Sequence, residues 1–201
     1  MLFLTHMNQT PSEVKRTAAQ ELWSTLKFIL LAAIIVIPIR MFVFQPFIVS
    51  GESMYPTFNN ADYLIIDEFS YYLHEPKRGD VIVFHYPNDP KRYFIKRIIG
   101  LPGETVIFKN RNVYIKNAEN PDGIKLSEPY LSQITIPGEK TEVTVDTDNY
   151  FVMGDNRGFS SDSRAWGLLP RKNIVGTAGL RLLPLKSISY KPGSLQKFET
   201  Q

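Results

Sequence analysis

Residues 81–116 read VIVFHYPNDPKRYFIKRIIGLPGETVIFKNRNVYIK, and this stretch decides the fold class. It holds four short runs of β-branched and aromatic residues, at 81–85, 93–99, 105–109 and 112–116, with Pro, Gly and Asn between them. Such runs are typical of antiparallel strands joined by turns. Because asparagine tolerates the positive φ of a tight turn, we predict a hairpin at Lys109-Asn110-Arg111-Asn112.

The same pattern continues on both sides of this stretch. Further runs of this kind occur at 47–49, 63–67, 141–146, 150–153 and 174–183. Many short strands with turn residues between them predict a mainly β domain, barrel-like or sandwich-like, over residues 45–190. Residues 117–139 are rich in Pro, Asn and Gly, which predicts a long loop or small insertion, and residues 191–201 are predicted to be a polar tail.

An apolar segment precedes the predicted β domain. Residues 28–39 read FILLAAIIVIPI, which as a helix would be about 18 Å long, short of the roughly 30 Å hydrocarbon core of a bilayer. Extending the helix to residues 22–44 gives the required length and places Lys27 and Arg40 near its ends, where long basic side chains reach the headgroups. The sequence therefore predicts a single transmembrane helix at residues 22–44.

Charge predicts how this helix is oriented. Lys15 and Arg16 lie in the polar tail of residues 1–21, which favours a cytosolic amino terminus and a β domain on the extracytoplasmic side of the cell membrane. Two alternatives remain open, a buried core helix and a cleaved signal peptide. The flank RMFVFQPF, at residues 40–47, offers no small-x-small cleavage site for the second alternative.

Composition narrows the possible chemistry. The 201 residues include 43% hydrophobic and 21% charged residues, which is ordinary for a globular protein. Lys and Arg exceed Asp and Glu by only 23 to 20, too small an excess to indicate a nucleic-acid partner. There is no cysteine, and His6, His74 and His85 lack ligand spacing, so we expect no metal site and no cofactor. Any catalysis would use hydroxyls, amines and carboxylates.

The first candidate for catalysis is SGESMYPT, at residues 50–57. If the preceding strand continues, Phe47, Val49, Gly51 and Ser53 lie on one face. A serine presented there with a free backbone N–H offers a nucleophile and an oxyanion donor for acyl transfer. The alternative is an ordinary serine in a Gly/Pro turn.

The second candidate is YFIKRIIG, at residues 93–100. Lys96 shares a strand face with Phe94 and Ile98, and desolvation there would lower its pKa enough for a general base near neutrality. The alternative is a lysine that reaches solvent from an edge strand. Arg97, on the opposite face, is expected to be a surface charge or part of an ion pair.

The third candidate is GDNRGFSSDSR, at residues 154–164, which follows the apolar run YFVM. Asp, Arg and Ser so close together at a strand end can form a fixed hydrogen-bond network that positions another group. A solvated loop is the alternative.

Taken together, these segments resemble the type I signal peptidases, also called leader peptidases, a family of Ser–Lys serine peptidases. Five blocks in the family's order carry the resemblance: RMFVFQPF at 40–47, SGESMYPT at 50–57, RGDVIVF at 78–84, IKRIIGLPGE at 95–104 and GDNRGFSSDSRAWG at 154–167. The resemblance implies a largely β domain with a smaller insertion, to which residues 117–139 would belong.

The resemblance also implies roles for individual residues. Ser53 corresponds to the family's nucleophile and Lys96 to its general base. Ser160 corresponds to a hydroxyl that hydrogen-bonds the lysine. The supporting polar network falls on three further residues, Asp155, Asp162 and Arg164. Two positions depart from the family pattern. Phe159 stands where Asn is common, and Gly51 stands where some members have a second oxyanion serine, which leaves the Ser53 backbone N–H and the neighbouring Ser50 as the candidate donors.

The implied substrates are signal-peptide-bearing preproteins with small residues at −1 and −3. Resemblance and strand parity together give five candidate walls for the two pockets: Phe47, Val49, Met54, Phe94 and Ile95. The lipid bilayer and the secretion translocase are the other expected partners.

Two other functions are alternatives to a signal peptidase. The self-cleaving repressors of the DNA-damage response also use a Ser–Lys pair, but they are soluble and typically carry a DNA-binding helical domain. A membrane-anchored β adaptor without catalysis would need no lysine on an apolar strand face. Incubation with a preprotein separates the adaptor from a peptidase.

Overall fold

The computed structural model describes residues 17–42, 44–131 and 141–194, with residues 37–42 and 44 described by their backbone alone. Most of the predicted tail at 1–21, the end of the predicted tail at 191–201 and residues 132–139 of the predicted loop lie outside the described residues. The chain divides into two compact units, one ending at residue 39 and the other beginning at residue 40.

The amino-terminal helix α1 runs over Ala18–Phe42. Within the described residues, Ala18–Val36 is the single stretch of helix long and apolar enough to cross a membrane, and none of it is buried. A helix of a protein core would be mostly buried, so the core-helix alternative does not fit. An apolar, uncovered helix suggests membrane anchoring.

The rest of the described chain is mainly β, as predicted. In chain order the elements are β1 (Phe44–Ile48), β2 (Tyr63–Asp67), α2 (Ser70–Leu73), β3 (Val81–Tyr86), β4 (Asp89–Gly100), β5 (Thr105–Lys109), β6 (Asn112–Lys116), β7 (Ile124–Lys125), β8 (Thr141–Thr144), β9 (Asn149–Met153), α3 (Ser163–Trp166), β10 (Leu169–Pro170), β11 (Ile174–Leu183) and β12 (Ser189–Tyr190).

The described strands form two antiparallel sheets. The large sheet has the order β1-β2-β11-β3-β4-β9-β10, with β12 beside β11, and the small sheet has the order β7-β6-β5-β8. β3 and the carboxyl half of β4 are buried because their apolar side chains pack on both faces of the large sheet. β4 lies between β3 and β9, and this central position carries part of the site.

The small sheet contains the predicted hairpin. Asn110 and Arg111 both have positive φ, 51° and 62°, and Lys109 pairs with Asn112, which is the geometry of a two-residue turn. The segment predicted as a loop or insertion is not wholly irregular, because β7 within it pairs with β6. The sheet closes over an apolar cluster that includes Val106, Phe108 and Ile115.

Candidate active site

Ser53 lies in the turn that follows β1. The strand ends at Ile48, and Gly51 has a φ of +90°, a conformation that glycine adopts without strain. The prediction that Gly51 and Ser53 continue the strand face of Phe47 is therefore wrong, because the chain turns before it reaches them. The turn then packs inward through Met54, which is 1% exposed.

Lys96 reaches Ser53 from the middle of β4. Its side chain is on the buried part of the strand, and the residue is 4% exposed. Nζ lies 2.7 Å from the Ser53 hydroxyl oxygen and 2.8 Å from the Ile95 carbonyl oxygen, to which it donates. Two residues that are 43 positions apart in the sequence are thus in direct hydrogen-bond contact.

The surroundings of Lys96 favour the neutral amine. Burial lowers the pKa of Lys96 from 10.5 to about 8, and the negative charges of Asp162 and Asp155 oppose this shift only in part. At pH 7 an amine with such a pKa is neutral, with a free lone pair, in about a tenth of the molecules, far more often than an exposed lysine. The pair can therefore move a proton from a hydroxyl to a nitrogen, which is the step that activates a serine nucleophile.

The loop after β9 is hydrogen-bonded to the turn that carries Ser53. The backbone N–H of Asn156 donates to the Ser53 carbonyl at 3.0 Å, and its side chain donates to the Glu52 carbonyl at 3.1 Å. Gly154 is required where this loop passes Ser53, because a Cβ there would lie 2.2 Å from Ser160 Oγ and 2.4 Å from the Ser53 carbonyl oxygen. The two segments are in close backbone contact.

Ser160 is brought to the site, but the implied bond to Lys96 is not found. Its Oγ is buried and has no hydrogen-bond partner of normal geometry in the part of the chain that the structure describes. Lys96 donates instead to Ser53 and to the Ile95 carbonyl. The adjacent Phe159 is exposed.

Asp155 and Arg97 form an ion pair in which both side chains are 0% exposed. Arg97 donates to the two carboxylate oxygens at 2.8 and 2.6 Å, and Thr57 donates to Asp155 at 2.5 Å. Arg97 is therefore not a surface charge, and of the two predicted environments only the ion pair is found. Its guanidinium also donates to the carbonyls of Gly79 and Gly193, which satisfies a charge buried in the sheet.

Asp162 and Arg164 form a second pair. Arg164 donates to both Asp162 oxygens at 2.8 Å, and the Gly154 N–H donates to the same carboxylate at 3.0 Å. Burial alone would raise the pKa of Asp162, but Arg164 and the Gly154 N–H hold it below its usual range. Asp162 is thus an anion that fixes the loop beside Lys96.

A cleft of about 430 Å³ opens next to the Ser53–Lys96 pair. Four of the five predicted pocket walls line it, namely Phe47, Val49, Phe94 and Ile95. Met54 does not, because the turn at Gly51 directs it into the core beside Phe58 and Leu64. Leu64 and Val83 also line the cleft, although neither was among the predicted walls. They follow from strand pairing, since Leu64 lies opposite Phe47 and Val83 opposite Ile95.

Both candidate oxyanion donors lie at this cleft. Ser50 and Ser53 line it together. Within the described residues the backbone N–H of Ser53 donates no hydrogen bond to the protein, while that of Gly51 is taken by the Asn60 side chain at 2.9 Å. Among the described residues, no group of three or more His, Cys, Asp or Glu side chains lies close enough together to hold a metal ion.

Comparisons with known proteins show which proteins this chain is similar to. A model of the family described as signal peptidase, peptidase S26, matches residues 22–183. Signal peptidase I P of Bacillus subtilis subsp. natto is 39% identical over 175 residues, which cover 82% of this chain and 91% of the relative. Signal peptidase I T of Bacillus subtilis strain 168 is 36% identical over 191 residues, covering 90% and 94%. A crystal structure of a signal peptidase I from Enterococcus faecalis V583 is 32% identical and covers 52% of this chain and 97% of its own, with a TM-score of 0.44.

Proposed function

This chain belongs to the family of signal peptidases, peptidase S26, which are serine peptidases, and we propose that it removes signal peptides from translocated preproteins with Ser53 as nucleophile and Lys96 as general base. The observation that carries the proposal is the 2.7 Å separation of Lys96 Nζ and Ser53 Oγ at the end of an apolar cleft.

The acylation step uses the neutral form of Lys96. One amine N–H donates to the Ile95 carbonyl, which aims the lone pair at the Ser53 hydroxyl. As Ser53 Oγ attacks the scissile carbonyl, its proton passes to Nζ, and the resulting ammonium then protonates the leaving amine. Water activated by the same lysine then hydrolyses the acyl-enzyme, which returns Ser53 and Lys96 to their starting forms.

The oxyanion of the tetrahedral intermediate is held by the Ser53 backbone N–H, with the Ser50 hydroxyl as the second donor. Both residues line the cleft, so donors there would face the carbonyl oxygen of a bound peptide and stabilise the negative charge that develops on it. A loop that packs against the Ser53 carbonyl keeps this donor fixed before substrate arrives.

The cleft supports a preference for small residues at −1 and −3. β1 is an edge strand of the large sheet, so an extended peptide can lie beside it and send alternate side chains into the cleft. Phe47, Val49, Phe94 and Ile95 leave an apolar space there that suits small side chains.

We further propose that α1 anchors the enzyme in the cell membrane. Within the part of the chain that the structure describes, α1 is the single candidate span, and the proposed topology is single-pass, with a cytosolic amino terminus and the β domain on the extracytoplasmic side. The lipid bilayer is then a permanent partner, and the secretion translocase delivers the substrate.

Cleavage of a purified preprotein in proteoliposomes tests this function. Wild type is expected to release the signal peptide, Ser53→Ala to release none, and the matched control Ser189→Ala, in the remote strand β12, to cleave like wild type. Product masses should place the cut after a small residue. A wild type that binds the preprotein without cutting it would indicate the adaptor, and cleavage of its own chain alone would indicate the self-cleaving class.

A further inference from the structure

A loop of the small sheet reaches the polar network beneath Ser53. After β7 the chain continues through Glu128, whose carboxylate accepts hydrogen bonds from both terminal nitrogens of Arg157 and from the Tyr130 hydroxyl, the last at 2.8 Å. The Arg157 side chain is 0% and the Glu128 side chain 8% exposed. An ion pair between residues 29 positions apart thus joins the small sheet to the loop after β9.

Tyr130 contacts two arginines that flank the catalytic segments. Its ring centre lies 4.0 Å from the Arg97 guanidinium carbon and 6.0 Å from that of Arg157. Arg97 directly follows Lys96 in β4. Burial and the charge of Glu128 raise the pKa of Tyr130 well above its usual value, so its hydroxyl stays protonated and continues to donate.

Arg157 connects Glu128 to the loop that contacts Ser53. Its Nε donates to the Gly154 carbonyl at 3.1 Å, and the neighbouring Asn156 N–H donates to the Ser53 carbonyl at 3.0 Å. Gly154 lies so close to Ser160 and Ser53 that a Cβ there would clash with both, so the position of this loop is directly coupled to that of the two serines.

We infer that Glu128 and Tyr130 are positioning residues that keep the Ser53 and Lys96 side chains correctly placed relative to each other. Glu128 acts through Arg157, and Tyr130 acts through Arg97. The inference rests on the proposed function. Neither residue lines the cleft next to Ser53. A buried ion pair seldom gives more stability than apolar packing would, whereas it fixes one arrangement of the groups it joins. Misplacing a catalytic group by about 1 Å can cost roughly 100-fold in rate.

The test is steady-state cleavage of a soluble signal-peptide substrate by the full-length enzyme. Tyr130→Leu removes the ring over Arg97, and Glu128→Gln removes the charge opposite Arg157. Each is expected to lower kcat by about 10- to 100-fold with KM changed by less than about threefold, because the loss lies in alignment and not in binding. Tyr130→Phe keeps the ring and is expected to retain kcat within about threefold.

Phe108→Leu is the matched control. It also shortens an aromatic side chain in the small sheet, where Phe108 packs on Phe151, but it does not belong to the chain of contacts from Glu128 to Ser53. It is expected to lower Tm and leave kcat unchanged. Equal kcat losses in Tyr130→Leu and Phe108→Leu would show a merely structural role and overturn the inference.

Two further outcomes are decisive. If Tyr130→Leu does not fold, Glu128→Gln decides, since it preserves volume, and wild-type kcat in that variant would overturn the inference. If the wild type does not cleave, or Ser53→Ala cleaves as well as wild type, the proposed function fails and the inference fails with it. Wild-type cleavage, loss in Ser53→Ala and unchanged kcat in both loop variants would overturn the inference alone.

Discussion

Two buried regions of the β domain contrast in composition. The polar seam, defined by Lys96, Arg97, Asp155, Arg157 and Asp162, holds five ionisable side chains that are almost fully buried. The small-sheet core, defined by Val106, Phe108, Val113, Ile115 and Leu126, is built from apolar side chains. The two regions meet where the loop carrying Glu128 and Tyr130 contacts Arg157 and Arg97.

The comparison indicates that the small-sheet core mainly stabilises the fold, whereas the polar seam mainly holds the proposed site in place. Burying apolar area stabilises a fold directly, whereas burying charges carries a desolvation cost that pairing only partly offsets. The seam therefore does not need to be polar for the domain to fold. Its arrangement is explained by the need to keep Lys96 desolvated, next to Ser53, and to fix the loop after β9 against Ser53.

The largest expected effect is at the proposed catalytic pair of Ser53 and Lys96. Ser53→Ala and Lys96→Ala should each lower kcat by roughly 10⁴-fold or more, and the double variant should be no worse than either, because the two residues act as a unit. Tm of Lys96→Ala should not fall, since a costly buried amine is removed. Cleavage assays and thermal unfolding measure both. A double variant with the product of the two single losses would show that the residues act independently.

The next effect concerns the ion pair between Arg97 and Asp155. Asp155→Asn leaves the guanidinium without its counter-charge inside the sheet, which should cost about 3–5 kcal/mol of unfolding free energy. The double variant Arg97→Met with Asp155→Leu should lose less, because no charge remains buried. Urea unfolding in detergent gives both values, and a double variant less stable than Asp155→Asn would contradict this account of the seam.

A smaller effect is expected in the small-sheet core. Ile115→Val removes one buried methylene and should cost about 0.5–1.5 kcal/mol without changing kcat. Paired unfolding and cleavage measurements check this. A fall in kcat comparable to that of Glu128→Gln would mean that the two regions are not separable.

The smallest effect is expected from removing α1. A protein that begins at Phe44 keeps β1 and all residues of the site, so it should cut a soluble peptide within about threefold of the full-length rate. It should cut membrane-inserted preproteins more slowly, because it loses the local concentration that anchoring supplies. Circular dichroism confirms folding. A folded protein that binds such peptides and never cuts them would place α1 in the catalytic machinery.

Local patterns in the sequence predicted most of the fold. The strand runs, the hairpin at Asn110 and Arg111 and the apolar helix each depend on near neighbours, and the structure has an element at each, with bounds that differ by a few residues, as for the helix predicted at 22–44 and found at Ala18–Phe42. The strand parity argument failed at Gly51, because one glycine with a positive φ ends the alternation on which parity depends. Met54, assigned to the cleft together with Phe47 and Val49, packs in the core instead.

The unpredicted part of the site depends on distant contacts. The full burial of Arg97 and the path from Glu128 to Ser53 each join segments separated by dozens of residues. No local period specifies which distant carboxylate an arginine meets. The resemblance supplied the identities of Ser53, Lys96, Asp155 and Asp162, but it carried no role for Glu128 or Tyr130, which lie in the segment interpreted as a loop.

The most direct test of the account is the pH dependence of kcat/KM for a soluble peptide substrate from pH 5 to 10. Burial disfavours the ammonium of Lys96, so acid protonates the base and stops the reaction, and activity returns as pH rises through its lowered pKa of about 8. The account predicts a rise to a plateau with a midpoint near that value. A profile already flat from pH 5 upward would contradict it, because the base would then be a carboxylate or a histidine.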